Sequence, residues 1–321
     1  MSELVYLVTG SMGFIGSWTL YHLVKTGKKV ISFDLSERRD RLNLLLSPED
    51  QRAIHFITGD VTNTEQVMKV VTEHHVTHII HLGALLVPTV RANPVLGAQV
   101  NVVGTANVFE AAKRHGIPHV VYASSIAVYG LPDRYPPGLI APDAPLAPYT
   151  LYGVYKQANE QMAQVYWEEN QVTSTALRPY TVYGVGRDQG LTSEPTKAML
   201  AAAAGKPYRI GFSGVCQYQL GSDVAQQFIA AAEQPLKGAY VFNLGGVPTD
   251  VPEIIDLIRS IKPGAEITWD DKPLPFPIGF DDTPLRQMVP VVYETPLAEG
   301  VAQTMEHFER CLADGRIAYS G

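Results

Sequence analysis

A continuous apolar run, Leu4 to Thr9, leads directly into a glycine-rich turn, Gly10-Ser11-Met12-Gly13-Phe14-Ile15-Gly16. Helical spacing then runs from Phe14 to Thr26 and stops at Gly27, a good helix C-cap. A short run apolar at every position predicts a strand buried on both faces. Glycines between such a strand and a helix let backbone N–H groups approach a pyrophosphate, and the helix N-terminus favours its negative charge. Asp34 closes the next apolar run, Val30 to Phe33, 24 residues after Gly10. A carboxylate at that place accepts hydrogen bonds from an adenosine ribose and repels a 2′-phosphate, so the expected cofactor is NAD. Arg38 and Arg39 lie close enough to soften that preference.

The alternation continues. Strands are predicted at Ile54 to Ile57, Val76 to Leu82, Val120 to Ser124 and Ser174 to Leu177, and helices at Thr64 to His74, Asn101 to His115 and Tyr152 to Asn170. This order implies an α/β fold, a Rossmann-type doubly wound parallel sheet. After Arg178 the regularity breaks, and prolines crowd Pro248 to Pro277 and Pro284 to Pro296. Lys197 to Ala204 reads as an isolated helix, and the chain returns to the sheet near Tyr240 to Asn243. The expected division is an NAD-binding part, 1–180 plus 216–246, and a smaller C-terminal substrate-binding part, 181–215 plus 247–321.

Composition narrows the function. A net charge of −7 without a basic block argues against nucleic acid as partner. Two cysteines, Cys216 and Cys311, cannot form a disulfide scaffold or a four-cysteine zinc site, and they suit a reducing compartment. No Lys or Arg precedes Lys25, and no apolar run reaches the ~18 residues of a membrane span. The expectation is a cytoplasmic protein with a small-molecule substrate and no membrane partner. His74, His75, His78 and His81 look like a metal cluster, but the odd separation of the last two on a strand turns them to opposite faces. No metal is expected.

Tyr152 and Lys156 stand four apart, on one helix face. An ammonium favours the phenolate, so such a tyrosine can take or give a hydroxyl proton. The same spacing disfavours Tyr155, one residue from Lys156. Ser124 and Ser125 end a strand at the carboxyl edge, where α/β sheets place ligands, and either hydroxyl could hold the reacting oxygen.

Taken together, these motifs resemble the extended short-chain dehydrogenase/reductase family, of the NAD-dependent epimerase/dehydratase type. The similarity runs through TGSMGFIG at 9–16, GDV at 59–61, HLGA at 81–84, NVVGTANVFEAA at 101–112, SSIAVYG at 124–130, YGVYK at 152–156, LRPYTVYG at 177–184 and DVA at 223–225. The resemblance implies Tyr152 as acid/base, Lys156 as its partner and a holder of the nicotinamide ribose, and Ser125 as the catalytic serine. It also implies that Gly10, Gly13, Phe14, Ile15, Gly16 and Asp34 hold the cofactor. Asp60 and Val61 would then lie at the adenine, and Leu82, Gly83 and Ala84 under the cofactor. Asn101 would brace the site and Tyr180 would lie near the nicotinamide. A homodimer through helices near 101–115 and 152–170 is implied as well.

Two departures matter. Members that act on nucleotide-sugars usually carry an asparagine where this chain has Thr181, and an arginine seven residues before the DVA aspartate, where it has Cys216. A buried diphosphate without cations is costly. The departures therefore favour a smaller, sugar-like or sugar-acid substrate, held by Ser125, Thr181 and Arg187, with Arg209 as another available cation. A net dehydrogenase is the first expectation. An epimerase of a sugar or nucleotide-sugar, with recycled NAD, is the alternative.

Overall fold

The computed structural model describes residues 4–319; the outermost residues of the two expected parts, 1–3 and 320–321, lie outside it. Its strands are β1 (Val5–Thr9), β2 (Lys29–Asp34), β3 (Ile54–Thr58), β4 (His78–His81), β5 (His119–Ala123), β6 (Thr173–Arg178), β7 (Thr181–Tyr183), β8 (Tyr208–Ile210), β9 (Val215–Leu220), β10 (Ala239–Asn243), β11 (Pro248–Asp250) and β12 (Ile267–Trp269). The helices are α1 (Phe14–Lys25), α2 (Asp40–Leu45), α3 (Thr64–Glu73), α4 (Val87–Ala92), α5 (Pro94–Ala98), α6 (Gly104–His115), α7 (Leu151–Asn170), α8 (Glu194–Ala203), α9 (Gly221–Glu233), α10 (Val251–Ile261), α11 (Thr283–Met288) and α12 (Leu297–Ala313).

The main sheet is parallel, in the order β3-β2-β1-β4-β5-β6-β10. The chain reverses direction across the sheet between β1 and β4, and that switch point is where doubly wound sheets bind ligands. Successive β1 side chains take opposite faces, as the strand period requires. Val5 and Leu7 join a core under α3, α6 and α7, while Tyr6 and Val8 join a second core under α1 and α9. That second core continues into the C-terminal lobe through Ile254 and Ile258 of α10 and Val301 and Met305 of α12, so the lobe is packed onto the sheet rather than tethered to it.

The lobe differs from the sequence expectation in two ways. Strand β9, assigned from residue 216 onward to the nucleotide-binding part, pairs antiparallel with β11 and parallel with β7 in a separate three-stranded sheet. Only α9 and β10 of the 216–246 segment return to the main sheet, where α9 packs against α1. The proline-rich stretches also hold helices. Pro252 and Pro284 sit in the first turns of α10 and α11, and Pro296 precedes α12. At those positions the missing N–H costs nothing and the fixed φ suits a helix.

Candidate active site

The glycine turn is a close-packed joint. Gly10 has φ +65°, and a Cβ there would lie 2.5 Å from the Gly83 nitrogen, so the turn after β1 lies against the chain leaving β4. A Cβ on Gly16 would strike the Gly10 carbonyl, which lets α1 begin immediately behind the turn. A groove of about 430 Å³ opens here. Gly10, Gly13, Asp34, Asp60, Val61, Leu82, Gly83 and Ala84 line it. Phe14, Ile15 and Gly16 form the helix start behind the turn and are not among the lining residues.

Asp34 stands at the rim, its carboxylate accepting the Met12 N–H at 2.9 Å and the Ser36 N–H at 2.8 Å. The nearby arginines are engaged with other groups, although Arg38 also lines the groove. Arg38 pairs with Asp40, and Arg39 lies 3.5 Å over the Phe56 ring. The groove thus offers backbone close to a diphosphate and a carboxylate where a ribose would sit, and these residues fit NAD.

Asn101 falls in a π-helical segment, Gln99–Val103, that joins α5 to α6. Both ends of its amide are taken by Leu85, the side-chain oxygen accepting from the backbone N–H at 2.7 Å and the nitrogen donating to the carbonyl at 2.9 Å. It therefore braces the groove wall from behind. His81 is also structural. It bonds Thr9 at 2.6 Å and Thr105 at 3.1 Å, and burial pulls it down to about 3, so it stays neutral. His78 stacks instead on Tyr6. Among the described residues no three His, Cys, Asp or Glu side chains gather as a metal site.

Helix α7 carries both Tyr152 and Lys156. Thr150 caps it, its hydroxyl accepting the Gly153 N–H at 3.1 Å, which puts Tyr152 in the first turn, where the helix dipole favours a phenolate. Gly153 is indispensable to this approach, because a Cβ there would overlap the Ala127 carbonyl. Chain spacing alone does not mark it, because the carbonyl it meets lies 26 residues earlier. With the helix this close, Tyr152 comes near Ser125, whose hydroxyl oxygen accepts the Ala127 N–H at 3.1 Å. Tyr155 turns away and donates to the Pro94 carbonyl at 3.1 Å. Ser124 also turns away, inward to Glu160 at 2.5 Å. The geometry thus separates the two tyrosines and the two serines.

Lys156 is 4% exposed and donates to the Ala123 carbonyl at 2.6 Å; its nitrogen lies 5.7 Å from the Tyr152 ring centre. Burial draws it down to about 8. Contrary to the sequence expectation, the Tyr152 phenol is raised rather than lowered. Desolvation outweighs the pull of Ser125 and of the Arg187 guanidinium, and Lys156, turned to its carbonyl, does not offset it.

Arg187 is held by a loop with three left-handed glycines, Gly184, Gly186 and Gly190 at φ +122°, +93° and +98°. Its guanidinium sits 5.9 Å from the Phe14 ring centre, and its buried Nε has no hydrogen-bond partner. Asp188, the adjacent carboxylate, is instead paired with Arg41 at 2.7 Å. Arg209, the other cation considered, pairs with Asp270.

The two departures noted in the sequence meet in space. The Tyr180 hydroxyl donates to the Pro277 carbonyl at 2.6 Å and lies 3.5 Å from the Cys216 sulfur, and Thr181 is buried beside the same cysteine. Tyr180 packs edge-on to Phe276 and Phe280. It was expected near the nicotinamide; in the structure its hydroxyl and ring contact the lobe. Thr181, expected at the substrate, is fully buried.

A family model described as NAD dependent epimerase/dehydratase matches residues 6–245. The chain belongs to that family. It is an enzyme of the extended short-chain dehydrogenase/reductase type, and NAD is its cofactor. The UDP-glucose 4-epimerase of Mycolicibacterium smegmatis is 31% identical over 94% of this chain and 97% of its own. Among solved structures, MoeE5 in complex with UDP-glucose and NAD is 26% identical, with a TM-score of 0.79 over 96% of this chain and 99% of its own. The L-threonine dehydrogenase of Clostridium difficile shares the fold, with a TM-score of 0.85 at 22% identity over 97% of this chain and 99% of its own. Relatives and neighbours are thus NAD-dependent epimerases and dehydrogenases.

Proposed function

We propose that this chain is a dehydrogenase acting on a hydroxyl or carbonyl of a small sugar-like or sugar-acid substrate. One observation carries the substrate class: a single guanidinium without an ion pair, Arg187, faces Tyr152. The neighbouring positions that would serve a diphosphate are closed by Tyr180, Thr181 and Cys216. One cation matches one carboxylate, and a diphosphate calls for more.

Ser125 and Tyr152 hold the substrate oxygen, and Tyr152 accepts its proton during oxidation. Lys156, buried 5.7 Å from the Tyr152 ring centre, holds the cofactor ribose. NAD, when bound, supplies the hydride chemistry that no side chain carries. Arg187 anchors the carboxylate so that the carbinol carbon faces the cofactor groove, and the gain is largely one of orientation.

A homodimer through α6 and α7 belongs to the same proposal. Val103 precedes α6, Val154 and Val165 lie on α7, and all three are more than two-fifths exposed. Two free, buried cysteines support a reducing, cytoplasmic setting. No helix among the described residues is long and apolar enough to cross a membrane.

The second reading is an epimerase that retains and recycles NAD, favoured by the relative aligned over nearly the whole chain. Cofactor accounting separates the two. The purified protein is denatured, released NAD and NADH are quantified, and sugars, sugar acids and simple alcohols are screened for net NADH production. Net NADH on an acidic substrate supports the dehydrogenase. Stoichiometric retained NAD with no net reduction, and isomer conversion of a UDP-sugar, overturns it.

A further inference from the structure

Glu160 lies one helical turn beyond Lys156 on α7 and is buried. Its carboxylate accepts from the Ser124 hydroxyl at 2.5 Å, from Arg178 Nε at 2.8 Å and from Arg178 Nη2 at 2.6 Å. Arg178 then donates from Nη1 to the Tyr129 hydroxyl at 2.7 Å, and Tyr129 donates to Asn243 at 3.1 Å. Asn243 in turn donates to the Asp281 carbonyl at 3.2 Å. One buried chain of polar groups thus links the reacting helix, the carboxyl ends of β5, β6 and β10, and the C-terminal lobe.

A buried ion pair gains little over apolar packing of the same volume, so its presence here calls for a role besides stability. The surroundings of Lys156 suggest one. On its own helix Tyr152 stands four residues before it and Glu160 four residues after it, on the same face, while β5 offers the Ala123 carbonyl and β4 the neutral His81. Glu160 itself faces Tyr122 of β5 and Arg178 of β6, beyond which lies Tyr129. Among these groups Glu160 is the one carboxylate, and it is ion-paired with Arg178.

We propose that Glu160 is a positioning residue whose carboxylate, clamped by Arg178 and Ser124, keeps Lys156 an ammonium and ties α7 to the ends of β5 and β6. Burial by itself favours the uncharged amine, and the nearby carboxylate opposes it. Arg178 is needed because a carboxylate buried this deeply is costly without a paired cation. Ser124 adds the tether: a shift of Glu160 would drag the strand end that carries Ser125. The proposal rests on the assignment of Lys156 to the reaction, but its test reads Lys156 directly and needs no substrate.

The full-length protein is labelled with [ε-13C]lysine, and the Lys156 resonance is assigned by its loss in Lys156→Arg. The wild-type midpoint is expected at about 8. In Glu160→Gln the proton affinity of Lys156 should fall at least about tenfold, roughly one pH unit. Ser124→Ala, which leaves both charges, should not move it. A Glu160→Gln protein that melts lower but titrates at the wild-type midpoint overturns the proposal, since a purely structural role predicts that result. If Glu160→Gln does not fold, Glu160→Gln/Arg178→Gln removes both charges at once. Its midpoint should still fall, because Glu160 and not Arg178 faces Lys156, and an unchanged midpoint overturns the proposal equally.

Discussion

The cofactor side and the substrate side of the cleft are built by different means. The cofactor side is backbone and short side chains from contiguous motifs, with Gly10 pressed on Gly83 and Asp34 holding the Met12 amide. The substrate side proposed above draws on Ser125, Tyr152, Arg187 and the Tyr180–Cys216 contact, which lie far apart in the chain. A ligand shared across a family can be met by fixed backbone geometry. A ligand peculiar to one enzyme has to be met by side chains on loops, whose positions depend on packing elsewhere.

Substitutions on the two sides should therefore fail differently. Tyr152→Phe should lower turnover about 10²- to 10⁴-fold with NAD affinity nearly unchanged; steady-state kinetics beside calorimetric NAD titration checks both. Retained turnover would remove Tyr152 from the reaction. Gly10→Ala should have the converse signature, because a methyl group there meets the Gly83 backbone at a left-handed φ. NAD binding should weaken by about tenfold or more, from strain of order 1–3 kcal/mol, as read by the same titration.

Arg187→Ala sharpens the contrast further. If its guanidinium holds a substrate carboxylate, KM should rise about 10- to 100-fold, the loss of a charge-assisted contact of roughly 1.5–3 kcal/mol, while NAD affinity holds. An equal loss of NAD affinity would move Arg187 to the cofactor side. A separate effect, outside the cleft, is one of pH on stability. His81 is held near 3 and His22 and His119 near 4 by burial, all below their unfolded value. The unfolded chain therefore binds more protons in between, and the stability that these neutral histidines provide is present above about 6.5 and lost as pH falls towards 4. Each contributes on the order of 1.4 kcal/mol per pH unit in that window. Thermal melts from pH 7 to 4 should fall steadily, and His81→Asn should flatten the slope.

Much of the cofactor side is legible in the sequence because its signals are local. An apolar strand, a glycine turn and an acidic residue at the next strand end need only chain spacing to be placed, and β1, α1 and β2 stand close to where that spacing puts them. The lobe was less legible. Helices α10 and α12 were masked by prolines that start helices rather than break them, and β9 carries no local sign of which sheet it joins.

Sequence by itself determined the doubly wound sheet, the NAD groove and the Tyr152–Lys156 face, because periodicities of 2 and 3.6 and turn chemistry act over a few residues. Tertiary structure alone turned Ser124 inward to Glu160 and Tyr155 outward to the Pro94 carbonyl. It also closed Cys216 and Tyr180 together, left Arg187 without a carboxylate, and set Glu160 against Arg178 beneath Lys156. Those outcomes depend on contacts between segments far apart in the chain, and on how burial and neighbouring charge fall at each group. No window of sequence contains either.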